Sequence, residues 1–192
     1  KRTLQSLENM GHRTGEIDLE GDGAGIQTDI PRQIWMERLA SVELNSRIAF
    51  HPNFYVAHLM IKPLAHPDLN TTLQKIEELI KKNGLEVIYS KPLPTRSEVL
   101  GVRAKANEPI VWALGIVPLG RITITDKNTH QAHLEIEKTF PNVHIASFSF
   151  NSVIYKIRGD VRTLINYYPD LKNPNYKSAI SLAHGRYSTN TD

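Results

Sequence analysis

The chain has 192 residues, 40% of them apolar and 22% charged, which excludes a short peptide or a disordered tail and allows one domain with a real core or two small ones. Twenty-three Lys and Arg against 20 Asp and Glu leave a net charge of +3 with no basic stripe, so nucleic acid is not an expected partner. Cysteine is absent, which removes disulfides, thiolate metal ligands and a cysteine nucleophile from these residues.

In chain order, Leu4, Leu7 and Met10 recur at three-residue steps, as on one face of a helix stopped by Gly11. The glycine-rich, acidic segment 14–25 follows, then Ile26, Thr28 and Ile30 alternate as in a short strand ended by Pro31. Phe54 to Ile61 reads as a strand buried on both faces. Leu73, Ile76, Leu79 and Ile80 make one apolar stripe of a helix over Thr71 to Lys82, opened by a Thr71/Gln74 capping box and closed by Asn83-Gly84. Leu85 to Tyr89 completes a strand-helix-strand unit over 54–90. Ile110 to Val117 is a buried strand, broken by Pro118 and too short to span a membrane.

A helix is expected around Thr129 to Lys138, then a strand over Val143 to Phe150. The Asn151-Ser152 turn would let Val153 to Ile157 pair back as a hairpin. Asp160 caps a helix carrying Val161, Leu164, Ile165 and Tyr168, ended by Pro169, and Ala179 to His184 forms a last strand. This order predicts a layered α+β domain rather than a doubly wound parallel sheet. The start, Lys1-Arg2-Thr3-Leu4, has neither an initiator methionine nor a signal-peptide stretch, so an internal piece of a longer cytoplasmic protein, with no membrane partner, is expected.

Gly21-Asp22-Gly23-Ala24-Gly25 resembles a phosphate-binding turn in composition, but its acidic lead-in and strand-like exit do not suit a Rossmann fingerprint. A tight turn using positive φ angles is the better reading of the residues. His130 and His133 have helical spacing but no third ligand, so they read as solvated and no metal site is expected. His184 reads as a core histidine of an apolar strand. After it, Arg186 offers a planar fork able to hold a carboxylate by two charge-assisted hydrogen bonds, with Ser188 and Thr189 hydroxyls beside it. A structural ion pair is the equal alternative.

The run His184 to Thr191, HGRYSTNT, resembles the HxRxSTN stretch of class II glutamine amidotransferases, and its STNT ending resembles that of the glutamate synthase large subunit. Met10-Gly11-His12-Arg13 with Gly21-Asp22-Gly23-Ala24-Gly25-Ile26 is similar to the HRG, spacer, GDGAGI pattern there. Leu100-Gly101, Glu108-Pro109, the segment Ser149 to Lys156 and Tyr167-Tyr168-Pro169-Asp170-Leu171 also look like their counterparts, so the likeness covers nearly the whole chain.

The resemblance implies an N-terminal-nucleophile hydrolase-like αββα sandwich, incomplete here. Residues 1–192 would form a partial amidotransferase domain with a family-specific insertion at about 31–142 that includes the strand-helix-strand unit. It implies that an N-terminal cysteine attacks the glutamine side-chain amide, with its own α-amine as base, and that ammonia passes to a synthase site making glutamate from 2-oxoglutarate. Residue by residue, Arg186 matches the arginine that holds the substrate α-carboxylate and Thr189 a hydroxyl that assists, while Arg13 and Asp22 match residues that shape the pocket. The resemblance implies no cofactor in this domain, with FMN and an iron-sulfur cluster in the full-length parent. Its implied partners are glutamine, the remaining synthase domains and a small reductase subunit. With no cysteine, and the Asn-Gly oxyanion pair expected beyond Asp192, the chain is expected to be cut short at both ends. A catalytically inactive amidotransferase-like binding domain is the alternative.

Overall fold

A computed structural model describes residues 2–9, 16–17, 20–21, 23–62, 68–120 and 125–185. The elements, in order, are α1 (Arg2–Asn9), β1 (Glu16–Ile17), β2 (Glu20–Gly21), β3 (Ala24–Asp29), α2 (Arg32–Ala40), β4 (Tyr55–Ile61), α3 (Leu69–Lys82) and β5 (Leu85–Pro92). They continue with α4 (Val102–Ala106), β6 (Ile110–Pro118), α5 (Asp126–Thr139), β7 (Val143–Ser149), β8 (Ser152–Ile157), α6 (Val161–Tyr167) and β9 (Ser181–His184). The chain is α+β and its main sheets contain antiparallel pairs. It divides into two compact units, one of Ile30–Leu93 with Pro109–Val153, the other of Lys1–Asp29, Pro94–Glu108 and Ile154–Asp192. Among the described residues, no helix is long and apolar enough to cross a membrane.

The unit of Ile30–Leu93 and Pro109–Val153 holds a four-stranded antiparallel sheet in the order β5-β6-β4-β7. Strands and helices follow one another as β-α-β-β-α-β. The predicted strand-helix-strand unit is therefore present, with β6 inserted between its two strands in a split β-α-β arrangement. β4 is central and buried on both faces, which explains why it is apolar apart from the buried His58. Ile76 and Ile80 of α3, Ile136 of α5 and Phe140 just after it pack with Leu59, Leu114, Ile116 and Ile145 into one core. Elsewhere in the unit, Trp35 of α2 stands edge-on to Phe54 and Tyr89, each with ring centroids 5.4 Å away.

Two starts differ from expectation. α3 opens at Leu69 rather than Thr71, because Asp68 has extended backbone and its Oδ1 accepts the Thr71 N–H at 2.8 Å, so the Thr71/Gln74 capping box is not the cap. α5 opens earlier than Thr129, since Thr125 donates from N and Oγ1 to Asn128 Oδ1 at 3.1 and 2.8 Å. The predicted hairpin of 143–150 with 153–157 does not form. β7 pairs with β4 and β8 joins β3 in a different sheet, and between them Ser149 Oγ accepts from the N–H of Asn151 and of Ser152 at 3.0 and 3.3 Å. The two strands each find a long-range partner, which outweighs local pairing.

In the other unit, β3 lies between β8 and β9, and β1 with β2 makes a two-residue ribbon. α6 starts at Asp160, whose Oδ1 accepts from Thr163 N at 2.7 Å, and buries Val161, Leu164 and Tyr167. Tyr155 donates to Asp170 Oδ2 at 2.9 Å and Tyr168 to the Lys156 carbonyl at 2.9 Å, with the two rings 5.0 Å apart.

Candidate functional site

Arg13, Asp22, Arg186 and Thr189, the four predicted site residues, lie outside the described residues. What is described is the scaffold on both sides of them in sequence. β3 leaves the glycine segment and pairs antiparallel with β9, in the register Gly25↔His184, Ile26↔Ala183, Gln27↔Leu182 and Thr28↔Ser181. The two stretches that looked most informative are therefore neighbours: the end of the glycine segment lies beside His184-Gly185, where the chain runs on to Arg186.

Gly21 and Gly25 serve close approach rather than a left-handed turn. Gly21 and Gly25 are in strands, and among the described glycines only Gly84, Gly120 and Gly159 have positive φ. A Cβ on Gly21 would sit 2.5 Å from the Asp160 nitrogen and 2.6 Å from the Gly159 carbonyl carbon. A Cβ on Gly25 would sit 2.6 Å from His184 Nε2, so the imidazole lies over the bare backbone of β3. His184 is exposed, contrary to the core reading, because β9 is an edge strand whose alternate residues Leu182 and His184 face outward.

Two further polar groupings hold this unit together. Glu108 Oε1 accepts from Ser97 Oγ at 2.7 Å and from Tyr167 Oη at 2.8 Å, and Arg96 N donates to the Tyr167 carbonyl at 2.9 Å. Burial, then the Glu108 carboxylate, pushes the Tyr167 phenol well above its ordinary value, so it stays a hydrogen-bond donor at physiological pH. At the far end of β3, Asp29 Oδ2 accepts the Ala179 and Ile180 N–H groups at 2.8 and 3.4 Å. Sequence reasoning missed both. Glu108-Pro109 was visible as a motif without a role, and Asp29 carried no signal because its partners are some 150 residues away.

The helical histidines do not act as a pair. His130 is exposed, while His133 Nε2 lies 3.4 Å and His144 Nδ1 3.0 Å from Glu137 Oε1, which also accepts the Ile145 N–H at 2.8 Å. Among the described residues no group of three or more His, Cys, Asp or Glu is arranged to hold a metal ion.

The family model described as glutamine amidotransferases class-II matches residues 1–192. The chain is 32% identical over 198 residues to ferredoxin-dependent glutamate synthase 2 of Synechocystis sp., a match covering 100% of the chain and 12% of that protein. It is 31% identical over 202 residues to glutamate synthase (NADH) of Saccharomyces cerevisiae, covering 96% of the chain and 9% of that protein. To the ferredoxin-dependent glutamate synthase of Pyropia yezoensis it is 30% identical over 210 residues, covering 99% of the chain and 13% of that protein. The chain thus spans 9% to 13% of the length of these curated relatives. With its whole length matched and its two motif-bearing strands paired side by side, the chain belongs to the class-II glutamine amidotransferases.

Proposed function

We propose that this chain is the substrate-gripping part of the glutaminase domain of a glutamate synthase, where glutamine is hydrolysed and its ammonia is passed on to make glutamate from 2-oxoglutarate. Arg186 holds the glutamine α-carboxylate through a two-pronged, charge-assisted contact, and Thr189 adds a hydroxyl. Arg13 and Asp22 shape the pocket in this proposal. The observation that carries this reading is the β3–β9 register, which supports a single site built from the glycine segment and the residues after His184. An αββα architecture with about 31–142 as an insertion is proposed; the pairing of β3 with β8, far along the chain, supports an insertion between those two strands.

The chain has no cysteine, so the thiol that attacks the amide comes from outside residues 1–192 in this proposal. An α-amine titrating near neutrality can take the proton of such a thiol, whose sulfur then attacks the amide carbon and releases ammonia. The residues here do not fit the cofactors of the parent. An iron-sulfur cluster needs thiolate ligands, and the glycine segment opens a strand rather than the helix N-terminus that would cradle the FMN phosphate. Those groups, the synthase domains and a small reductase subunit are assigned to the rest of a cytoplasmic assembly.

Calorimetric titration of glutamine into the chain tests the reading. Arg186→Ala should weaken binding by about 2 to 5 kcal/mol, with Arg186→Lys a poor substitute. Unchanged affinity in Arg186→Ala would refute it.

A further inference from the structure

We infer that Asp29, together with Ser178, is a positioning clasp that sets the register of β9 and thereby the placement of the glutamine-binding residues that follow it. The inference rests on the glutamine reading proposed above. The β3–β9 ladder ends at Thr28↔Ser181, and the next residues toward the loop, Asp29 and Ile180, continue it by other means. The Asp29 carboxylate takes the Ala179 and Ile180 N–H groups on one oxygen, at 2.8 and 3.4 Å. Asp29 N donates to Ser178 Oγ at 3.3 Å, and Ser178 Oγ donates to the Ile180 carbonyl at 2.5 Å. One residue earlier, Thr28 Oγ1 lies 2.6 Å from Tyr176 Oη.

These contacts converge on residues 176–180, the stretch that delivers the chain into β9. The strand itself needs them. It is four residues long, it sits at the sheet edge, and Leu182 on it is 68% exposed, so burial does little to fix its register. A slip of one residue would turn every side chain of β9 to the opposite face, and a slip of two would move them by about 6.6 Å. Either displaces whatever His184 and Gly185 lead into. The carboxylate anchors two consecutive N–H groups, and Ser178 Oγ and Tyr176 Oη, side chains that meet β3 in one register only, oppose both slips.

The test is a double-mutant cycle on the full chain, read by glutamine calorimetry and thermal melting. Asp29→Ala is expected to weaken glutamine binding about tenfold, with Asp29→Asn, which keeps an acceptor oxygen on the same stem, recovering most of it. In an Arg186→Ala background, Asp29→Ala should cost clearly less affinity than in the parent, only the share of Thr189 remaining, while still lowering the melting temperature. Additive affinity losses overturn the inference, since Asp29 would then not act through Arg186. If Asp29→Ala does not melt cooperatively, Ser178→Ala is put through the same cycle, with a loss of about threefold expected and unchanged affinity counting against the clasp. Loss of affinity in Arg186→Ala alone, with Asp29→Ala and Ser178→Ala harmless, overturns the clasp only. Unchanged affinity in Arg186→Ala overturns the glutamine reading beneath it.

Discussion

Gly25 and His184 face each other across the β3–β9 pair, with the imidazole occupying the space that a side chain on residue 25 would need. Gly21 is equally tight, but its neighbours are the backbone of Gly159 and Asp160. The two glycines of one motif should therefore respond differently to the same change. Gly25→Ala pushes aside the tip of an exposed side chain and should cost less than about 1 kcal/mol, while shifting the His184 ring resonances in NMR spectra. Gly21→Ala meets backbone that cannot swing away and should cost about 2 to 3 kcal/mol in urea unfolding. Equal costs at the two sites would contradict the packing described.

Arg32 draws four carbonyl oxygens together. Nη1 donates to Ala49, His51 and Phe54 at 2.9, 3.4 and 3.3 Å, and Nη2 donates to Phe150 at 2.7 Å. A lysine ammonium is a single point on a flexible stem and cannot span both sets. Arg32→Lys should lose about 1 to 2 kcal/mol of stability, because part-buried carbonyls lose a charged donor. Chemical denaturation of the two proteins measures it.

Alkaline pH should loosen the tyrosine cluster. Burial, and then the neighbouring Tyr167, pushes the Tyr168 phenol far above its ordinary value of about 10. Below that value both folded and unfolded chains hold the proton. Above it the unfolded chain loses its proton first, so stability falls as pH rises, by about 1.4 kcal/mol per pH unit for this group. Tyr168→Phe forfeits the hydrogen bond to Lys156, at about 1 kcal/mol near neutrality, yet should show a shallower decline between pH 10 and 11.

Acid should act through Glu137. Burial alone would raise its carboxyl, but the Ile145 N–H, with His133 and His144, outweighs that and holds it below the usual carboxylate range. The contribution is present above the unfolded value of about 4.3 and is lost as pH falls through the lowered folded one. Glu137→Gln should be less stable than the parent by under about 1 kcal/mol at neutral pH. The gap should close toward pH 3, as read by unfolding curves across that range.

Elements whose signal is local were legible before any coordinates. β6 announced itself as an apolar run, β4 as a stretch half alternating and half continuous, α3 by its stripe and α6 by Asp160. α2 did not: Pro31 precedes it with no side-chain cap, and its buried Trp35 and Leu39 are interleaved with Arg, Gln and Glu. The false hairpin came from reading the Asn151-Ser152 turn locally, when pairings of β7 with β4 and β8 with β3 decide the matter. At the site, the motifs were legible as text but the reason for their glycines was not, since close approach depends on Gly159, Asp160 and His184 arriving from far along the chain. Asp29 was silent for the same reason.

That separation also dictates an order of events during synthesis. The four-stranded sheet has all its strands once Ser149 has emerged, whereas β3 cannot gain β9 until Ser181 to His184 are made. At typical elongation speeds, roughly 8 to 30 s pass between Asp29 and Ser181 leaving the ribosome. During that interval β3 waits without either neighbour until β8 is made, and then with one edge open until β9 follows, while the intervening unit is already able to collapse, so chaperone demand should concentrate on β3 rather than on the larger middle of the chain.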